Sequence, residues 1–349
     1  MKILYLYAEV MGYTIATIRE LAERGNEVHV VHWNHKKLTP YIAPALPNVY
    51  MYNRSELNAK QLKGLVDIIK PAVTVVSGWM DGAYMSVVRH LRQQGKHVVV
   101  GLDGQWHGRL RQWLALIFGK VGFFSLYFSH AWVAGAYQYE YARKLGFSKK
   151  NIIFDLYSSD TLLFNQAYED SLKNKERKYP HRFLFVGRLE SIKGLDILDQ
   201  AWHLLGDEKA DWTLHLIGNG NFKARLKNSG DVVVKDFMQP EQLIKEVGNA
   251  GCFLLPSRGE PWGVVVHEFT AAGLPLITSD VVGSASIFLI SGLNGFSFKA
   301  NDAVDLAKRM RQIINMSDQQ LLDMAVSSHN LSSRISIKTS ASHLLSIID

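Results

Sequence analysis

Along the chain, short apolar runs alternate with stretches in which apolar residues recur every three or four positions. In the first half the short runs fall at residues 2–7, 27–32, 73–77, 97–101 and 131–134. Their length, bounded ends and β-branched or aromatic content predict buried strands. Between the first two, Ile15, Ile18, Leu21 and Ala22 stand at helical spacing within 13–24, and Gly25 closes the segment, as glycine does at helix C-termini. The polar run 173–181 (Lys-Asn-Lys-Glu-Arg-Lys-Tyr-Pro-His) interrupts the pattern and reads as a linker. The alternation then restarts at 182–186, 213–217, 232–234, 252–255 and 275–278. Strands alternating with helices predict parallel sheets. The expected fold is α/β, with two Rossmann-like, doubly wound units over residues 1–170 and 181–332. A closing segment, 333–349, is Ser-rich with an apolar end and predicts a helix packing back on another part of the molecule. In such sheets ligands bind beyond the carboxyl ends of the strands, and two facing sheets would hold a ligand in the cleft between them.

A chain of 349 residues is long enough for two cores. Its 47% hydrophobic and 20% charged residues exclude a disordered polymer. No apolar stretch is long enough to predict a transmembrane helix, and the first apolar run is too short for a secretion signal. The single cysteine, Cys252, excludes an intramolecular disulfide and lies in an apolar run that predicts a buried thiol. These features fit a cytoplasmic setting. The net charge of +7 is uneven: residues 1–165 carry 19 Lys+Arg against 11 Asp+Glu. Such a surplus suits an acidic partner surface or ordinary solubility. Residues 109–128 are basic at their start and rich in Trp, Phe and Leu. That composition fits an interfacial contact with an anionic membrane or a buried helix pair beside the first sheet. No zinc-ligand set or nucleic-acid motif accompanies the basic half, which argues against nucleic acid as a partner. No metal-site spacing of His or Cys and no Asp-x-Asp occurs, so no metal or other cofactor is expected.

The stretch 254–275 (Leu-Leu-Pro-Ser-Arg-Gly-Glu-Pro-Trp-Gly-Val-Val-Val-His-Glu-Phe-Thr-Ala-Ala-Gly-Leu-Pro) carries the most chemistry. A strand ends at Pro256, a Gly/Pro loop follows, and a helix opens near Gly263 and stops at Gly273. A helix N-terminus after a strand offers free amides and a positive dipole end to a phosphorylated ligand, and Gly263 permits close approach. Glu260 stands just before the helix and Glu268 about one and a half turns inside it. Carboxylates there can accept sugar or ribose hydroxyls.

Glu260 and Glu268 form a Glu-x7-Glu pair, and with its Pro-Ser, Trp-Gly and Ala-Ala-Gly-Leu-Pro surroundings this stretch resembles glycosyltransferase family 4, retaining enzymes of the GT-B fold. A second motif agrees. Phe185-Val186-Gly187-Arg188-Leu189-Glu190-Ser191-Ile192-Lys193-Gly194-Leu195 is similar to the family's Gly-Arg-Leu…Lys-Gly loop. Leu216-Ile217-Gly218-Asn219-Gly220 resembles its strand followed by Gly-x-Gly, and Asp236-Phe237-Met238 stands where the family contacts the base. The likeness covers 182–299 well and is thinner in the first half. There the loop after the first strand has one glycine, Gly12, that could approach the donor phosphate. Asp103 stands near the family's N-domain histidine position, and His107 follows as the alternative polar partner for the donor sugar or acceptor.

The resemblance implies transfer of a sugar from a UDP- or GDP-sugar to a hydroxyl of a glycan or lipid-linked acceptor, with retention. Arg188 and Lys193 would neutralise the departing diphosphate, helped by amides around Gly263, Val264 and Val265. Glu260 would hold donor-sugar hydroxyls and Glu268 the ribose. Gly187, Gly218, Gly220, Phe237 and Met238 would line the nucleotide pocket. The first unit would bind the acceptor, and the last helix, near 335–348, would cross back to it. The implied setting is bacterial surface polysaccharide or glycolipid synthesis at the inner face of the plasma membrane. Two alternatives stay open at this point: a nucleotide-sugar epimerase or hydrolase on the same fold, and a non-catalytic sugar-nucleotide-binding subunit.

Overall fold

The computed structural model describes residues 1–33, 39–225 and 230–348. Its first sheet contains β1 (Lys2–Tyr7), β2 (Glu27–His32), β3 (Val49–Asn53), β4 (Val73–Val76), β5 (His97–Leu102), β6 (His130–Val133) and β7 (Ile152–Ile153), in the order β3-β2-β1-β4-β5-β6-β7. The second contains β8 (Arg182–Val186), β9 (Thr213–Ile217), β10 (Val232–Lys235), β11 (Cys252–Leu255), β12 (Leu276–Ser279) and β13 (Gly295–Phe298), in the order β10-β9-β8-β11-β12-β13. Every strand pairing is parallel. Both sheets start at an inner strand, grow outward on one side, then cross over and grow on the other, as Rossmann-like sheets do. β4, β11 and β12 are buried along their whole length, which explains why they read as unbroken apolar runs. Cys252 is a fully buried free thiol within this core.

The chain divides into two compact units. One comprises Met1–Lys36, Ala43–Ser158 and Ile335–Asp349; the other comprises Lys37–Ile42 and Ser159–Arg334. In the first unit, helix Ile337–Leu345 packs on helix Gly12–Glu23, and Arg24 fastens them by donating to Ser342 Oγ (2.9 Å) and Lys338 O (3.0 Å). In the second, Gln239 Nε2 donates to Pro40 O at 2.9 Å, which ties the short early segment down.

Three strands escape the sequence pattern. β3 is a half-exposed edge strand, β7 has only two residues, and β13 opens on a glycine. The chain also divides earlier than the sequence pattern predicts, between Ser158 and Ser159 instead of at 170–181. Helix Thr161–Arg177 runs through the first five residues of the charged run. Its apolar face belongs to the second unit: Phe164 packs edge-on against Phe269 with ring centroids 6.1 Å apart, and Tyr168 stacks on His329 at 3.9 Å. The exposed helix positions produce the linker-like polarity.

Lys175 reads as one of those solvated charges, yet only 2% of it is exposed. Its Nζ has no hydrogen-bond partner among the described residues and sits 6.0 Å from the Tyr179 ring. Burial pulls its pKa down to about 7. The folded state therefore binds fewer protons than the unfolded chain between about pH 7 and 10.5, and stability rises with pH across that window. Lys175→Met should raise stability by about 1–3 kcal/mol at pH 7, with the gain shrinking as pH approaches 10. Thermal unfolding of both proteins at the two pH values checks this.

Candidate functional site

The site is built at the carboxyl end of the second sheet, where strand order reverses between β8 and β11. This is the crevice where open α/β sheets take ligands. Two loops meet there at backbone distance. Leaving β8, Gly187 N–H donates to Ile217 O (3.1 Å), and Leu189 N–H to Asn219 O (2.8 Å). A Cβ on Gly218 would lie 1.9 Å from Gly187 O, and one on Gly220 2.2 Å from Leu189 O. The Gly-x-Gly after β9 is therefore required by close packing against the Gly-Arg-Leu loop. The 3₁₀ turn Ser191–Lys193 then ends at Gly194, whose φ is 68° and whose Cβ would lie 2.0 Å from Pro256 O. This contact presses the turn against the end of β11.

As a result Lys193 Nζ reaches the Glu260 carboxylate and forms an ion pair with it. Both side chains are mostly buried, and Ser257 Oγ donates to the same carboxylate oxygen at 3.3 Å. Such a pair gains little net stability unless its geometry is good. Its value here is that one cation and one carboxylate are held beside a helix start. Gly263, with φ 88°, redirects the chain into helix Val264–Ala271. A Cβ at Gly263 would lie 2.9 Å from Glu260 Cγ, so Glu260 is folded directly under that turn. Glycine at the cap leaves the first amides without a side-chain acceptor. These amides and the helix dipole form an anion-attracting point. Val264 and Val265, which supply them, are half-buried.

Glu268 lies in the same helix, half-buried. Burial, and then the charge of Asp160, push its carboxyl up to about 7. Arg188 takes a different position from Lys193: its guanidinium is half-exposed and pairs with Glu190 on its own loop at 2.9 Å. Phe237 and Met238 follow β10 and are half-buried, with Asp236 beside them paired to Lys223 at 2.5 Å. A cavity of about 350 Å3 adjoins these loops, lined by Glu190, Ser191, Ile192, Asn221, Phe222 and Arg225.

Gly12, Asp103 and His107 lie in the first unit. Gly12 opens helix Gly12–Glu23, and Asp103 follows β5. Tyr157 joins Asp103 to the residue that follows Gly12: its hydroxyl donates to Asp103 Oδ2 at 3.3 Å, and its ring meets Tyr13 edge-on at 5.0 Å. Burial, reinforced by the Asp103 charge, raises the Tyr157 pKa well above its ordinary value. His107 stands apart: it is exposed, and its backbone N–H donates to Gln112 Oε1 at 2.8 Å.

Two supporting residues were not visible as such in the sequence. Arg258 forks onto both carboxylate oxygens of Asp196 (2.7 and 2.5 Å) and donates to Ser191 O (2.5 Å) and Asn301 Oδ1 (2.7 Å). It thereby clamps the Lys193 turn onto the Glu260 loop. Its guanidinium also holds Asp196 below the usual carboxylate range. Arginine beside Glu260 was the available signal, but its partner lies 62 residues away. His267 is fully buried, accepts from Ser159 N–H at Nδ1 (3.1 Å) and donates from Nε2 to Ser332 O (3.0 Å). One imidazole thus ties the helix that carries Glu268 to chain segments near both ends of the second unit. Among the described residues, no three His, Cys, Asp or Glu side chains gather in a metal-sized cluster, and no helix is long and apolar enough to cross a membrane.

The raised pKa of Glu268 gives a signed prediction. Between about pH 4.5 and 7 the folded state binds the extra proton, so the wild type loses stability as pH rises through that window. Glu268→Gln should be equal to wild type near pH 4.5 and more stable at pH 8, by up to about 3 kcal/mol. Paired urea titrations at the two pH values check this.

Residues 168–326 match the sequence profile of the family described as glycosyl transferases group 1. The chain is 28% identical over 173 residues to an uncharacterized glycosyltransferase of Haemophilus influenzae, covering 48% of this chain and 47% of that protein. It is 26% identical over 200 residues to the capsular polysaccharide biosynthesis glycosyltransferase CapM of Staphylococcus aureus, covering 53% and 50%. The chain thus spans about half the length of these curated relatives. Among solved structures it is similar to Anabaena HepE in complex with UDP, with a TM-score of 0.74 at 14% identity over 100% of this chain and 99% of that one. The chain therefore has the GT-B fold of two Rossmann-like parallel-sheet units, and its second unit carries the segment similar to the group 1 glycosyl transferases.

Proposed function

We propose that the protein is a retaining glycosyltransferase that moves a sugar from a UDP- or GDP-sugar to a hydroxyl of a glycan or lipid-linked acceptor. The observation that carries this reading is the convergence of Lys193, Glu260 and the uncapped start of helix Val264–Ala271 at the switch point of the second sheet. A diphosphate placed on those amides would have Lys193 as its nearest fixed cation. The Lys193 ammonium would then exchange part of its contact with Glu260 for the phosphate oxygens. Arg188, half-exposed on the adjoining loop, would swing from Glu190 to the leaving group as negative charge builds there. Preorganised charge of this kind is the main lever available to such a site.

Glu260, held under Gly263 and by Ser257, would accept hydroxyls of the donor sugar. Glu268 would hold the ribose. Its carboxyl, raised to about 7, can carry a proton near neutrality and so both donate to and accept from a diol. A neutral Glu268 also spares the diphosphate a like-charge neighbour. Gly187, Gly218 and Gly220 would line the nucleotide pocket, with Phe237 and Met238 near the base. In the first unit, Gly12 and Asp103 would serve the donor phosphate and the reacting sugar, with His107 as the other polar candidate near the acceptor. We infer that the diphosphate charge is met by Lys193, Arg188 and helix amides, without a metal. The CapM likeness favours a role in bacterial surface polysaccharide or glycolipid synthesis, on the cytoplasmic side of the membrane.

The test is calorimetric binding of UDP, GDP, dTDP and ADP, followed by transfer assays with sugars of whichever nucleotide binds. One diphosphate should bind, and Arg188→Ala with Lys193→Ala should weaken it at least tenfold; unchanged affinity in a folded double variant rules out the phosphate cradle. Glu260→Gln should lower transfer at least a hundredfold while nucleotide binding changes little. Transfer should persist in excess EDTA, and its loss there would assign the leaving-group charge to a metal.

A further inference from the structure

Helix Leu110–Lys120 of the first unit is amphipathic in the inverted sense. At 100° per residue, Leu110, Trp113, Leu114, Ile117, Phe118 and Val121 fall on one stripe, and every one of them is exposed, from 48% at Leu114 to 78% at Val121. The opposite side carries Gln112, Ala115, Leu116 and Gly119, and that side is packed inward: Gly119 is buried and the other three are half-buried. Gly119 is buried, with its Cβ position 2.4 Å from Leu145 O, so no larger residue fits between the two backbones. Ala115 packs against the core of the first unit. Gln112 reaches back to Gln105 O (2.6 Å) and accepts from His107 N–H (2.8 Å). The helix is thus locked with its apolar face turned to solvent, and the buried helix pair allowed by its composition is not formed. Trp79 packs on Phe124 at 5.2 Å just after this helix, and the next residue, Met80, is 90% exposed.

An apolar face this continuous on a folded chain marks a docking surface. Its charges indicate what docks. Arg111 and Lys120 flank the stripe on its two sides, exposed, and among the described residues neither has an acidic partner. Arg109 precedes the helix, and no acidic residue occurs between Asp103 and Glu140. Cations bordering an apolar stripe suit a surface that is negatively charged at its rim and apolar beneath it. A second copy of the chain suits it less, because two-fold pairing would face Arg111 and Lys120 with like charges. We propose that this helix docks the first unit onto an anionic lipid bilayer, with the stripe at the level of the acyl boundary and Arg111 and Lys120 at the phosphates. The proposal stands apart from the transfer reaction.

Co-sedimentation with phosphatidylglycerol–phosphatidylethanolamine vesicles, and with phosphatidylcholine vesicles, tests it. The full chain should bind the anionic vesicles at least tenfold more tightly than the neutral ones. Ile117→Glu with Phe118→Glu should lower anionic-vesicle binding at least tenfold with an unchanged melting temperature. Arg111→Glu with Lys120→Glu, which leaves the stripe intact, should lower it on anionic vesicles and remove its salt dependence. Nucleotide binding measured on the same samples should be unaltered in both variants. Failure of the wild type to sediment, or binding indifferent to both variants, overturns the proposal. So does a concentration-dependent dimer that the Ile117→Glu/Phe118→Glu variant dissolves, which would assign the face to a second copy.

Discussion

The second unit depends on close backbone approach at the carboxyl end of its sheet. Gly218 admits Gly187 O where a Cβ would stand 1.9 Å away, and Gly194 admits Pro256 O at 2.0 Å. A methyl group at either place would require one loop to move off the other. The loops after β8, β9 and β11 therefore form one layer, joined by main-chain hydrogen bonds such as Leu189 N–H to Asn219 O. Side chains on that layer inherit its precision. Lys193 meets Glu260 because Gly194 lets its turn sit on Pro256, and Glu260 stays under Gly263 because that residue turns the chain in a left-handed conformation.

Charge in this layer is arranged in two tiers. The Arg258–Asp196 fork and its contacts to Ser191 and Asn301 join loops that are far apart in sequence. Its bidentate geometry resists rotation as well as separation. The Lys193–Glu260 pair lies inside that clamp and close to the open helix amides. A burial-raised carboxyl at Glu268 completes the set. Fixed dipoles, one cation and one neutralisable acid are suited to a ligand that is anionic at one end and hydroxylated at the other.

The first unit shares the sheet topology but uses its surface differently. Its carboxyl edge gathers Asp103, Tyr157 and Tyr13 into an aromatic and acidic cluster. Its helix Leu110–Lys120 reverses the usual burial of an amphipathic helix, with glycine and alanine inward and Trp, Ile and Phe outward. Tight backbone packing at Gly119 leaves no room for the alternative orientation.

Sequence by itself determined the class of fold and the position of the loops gathered at the carboxyl end of the second sheet. Parallel strands buried on both faces must be apolar runs, and a helix that opens at Gly263 and stops at Gly273 is marked by its own glycines, so β1, β2, β8, β9, β11 and Glu260, Lys193 and Glu268 could be found locally. Interactions that join distant segments were decided only by the tertiary structure. The Arg258–Asp196 clamp, the His267 tie to Ser159 and Ser332, and the burial of Lys175 depend on which surfaces the fold brings together. The placement of helix Thr161–Arg177 with the second unit was hidden because its exposed end carries the charges of a linker. Exposure of the Leu110–Val121 stripe was hidden too, since periodicity identifies an apolar face but packing alone selects which face the protein buries.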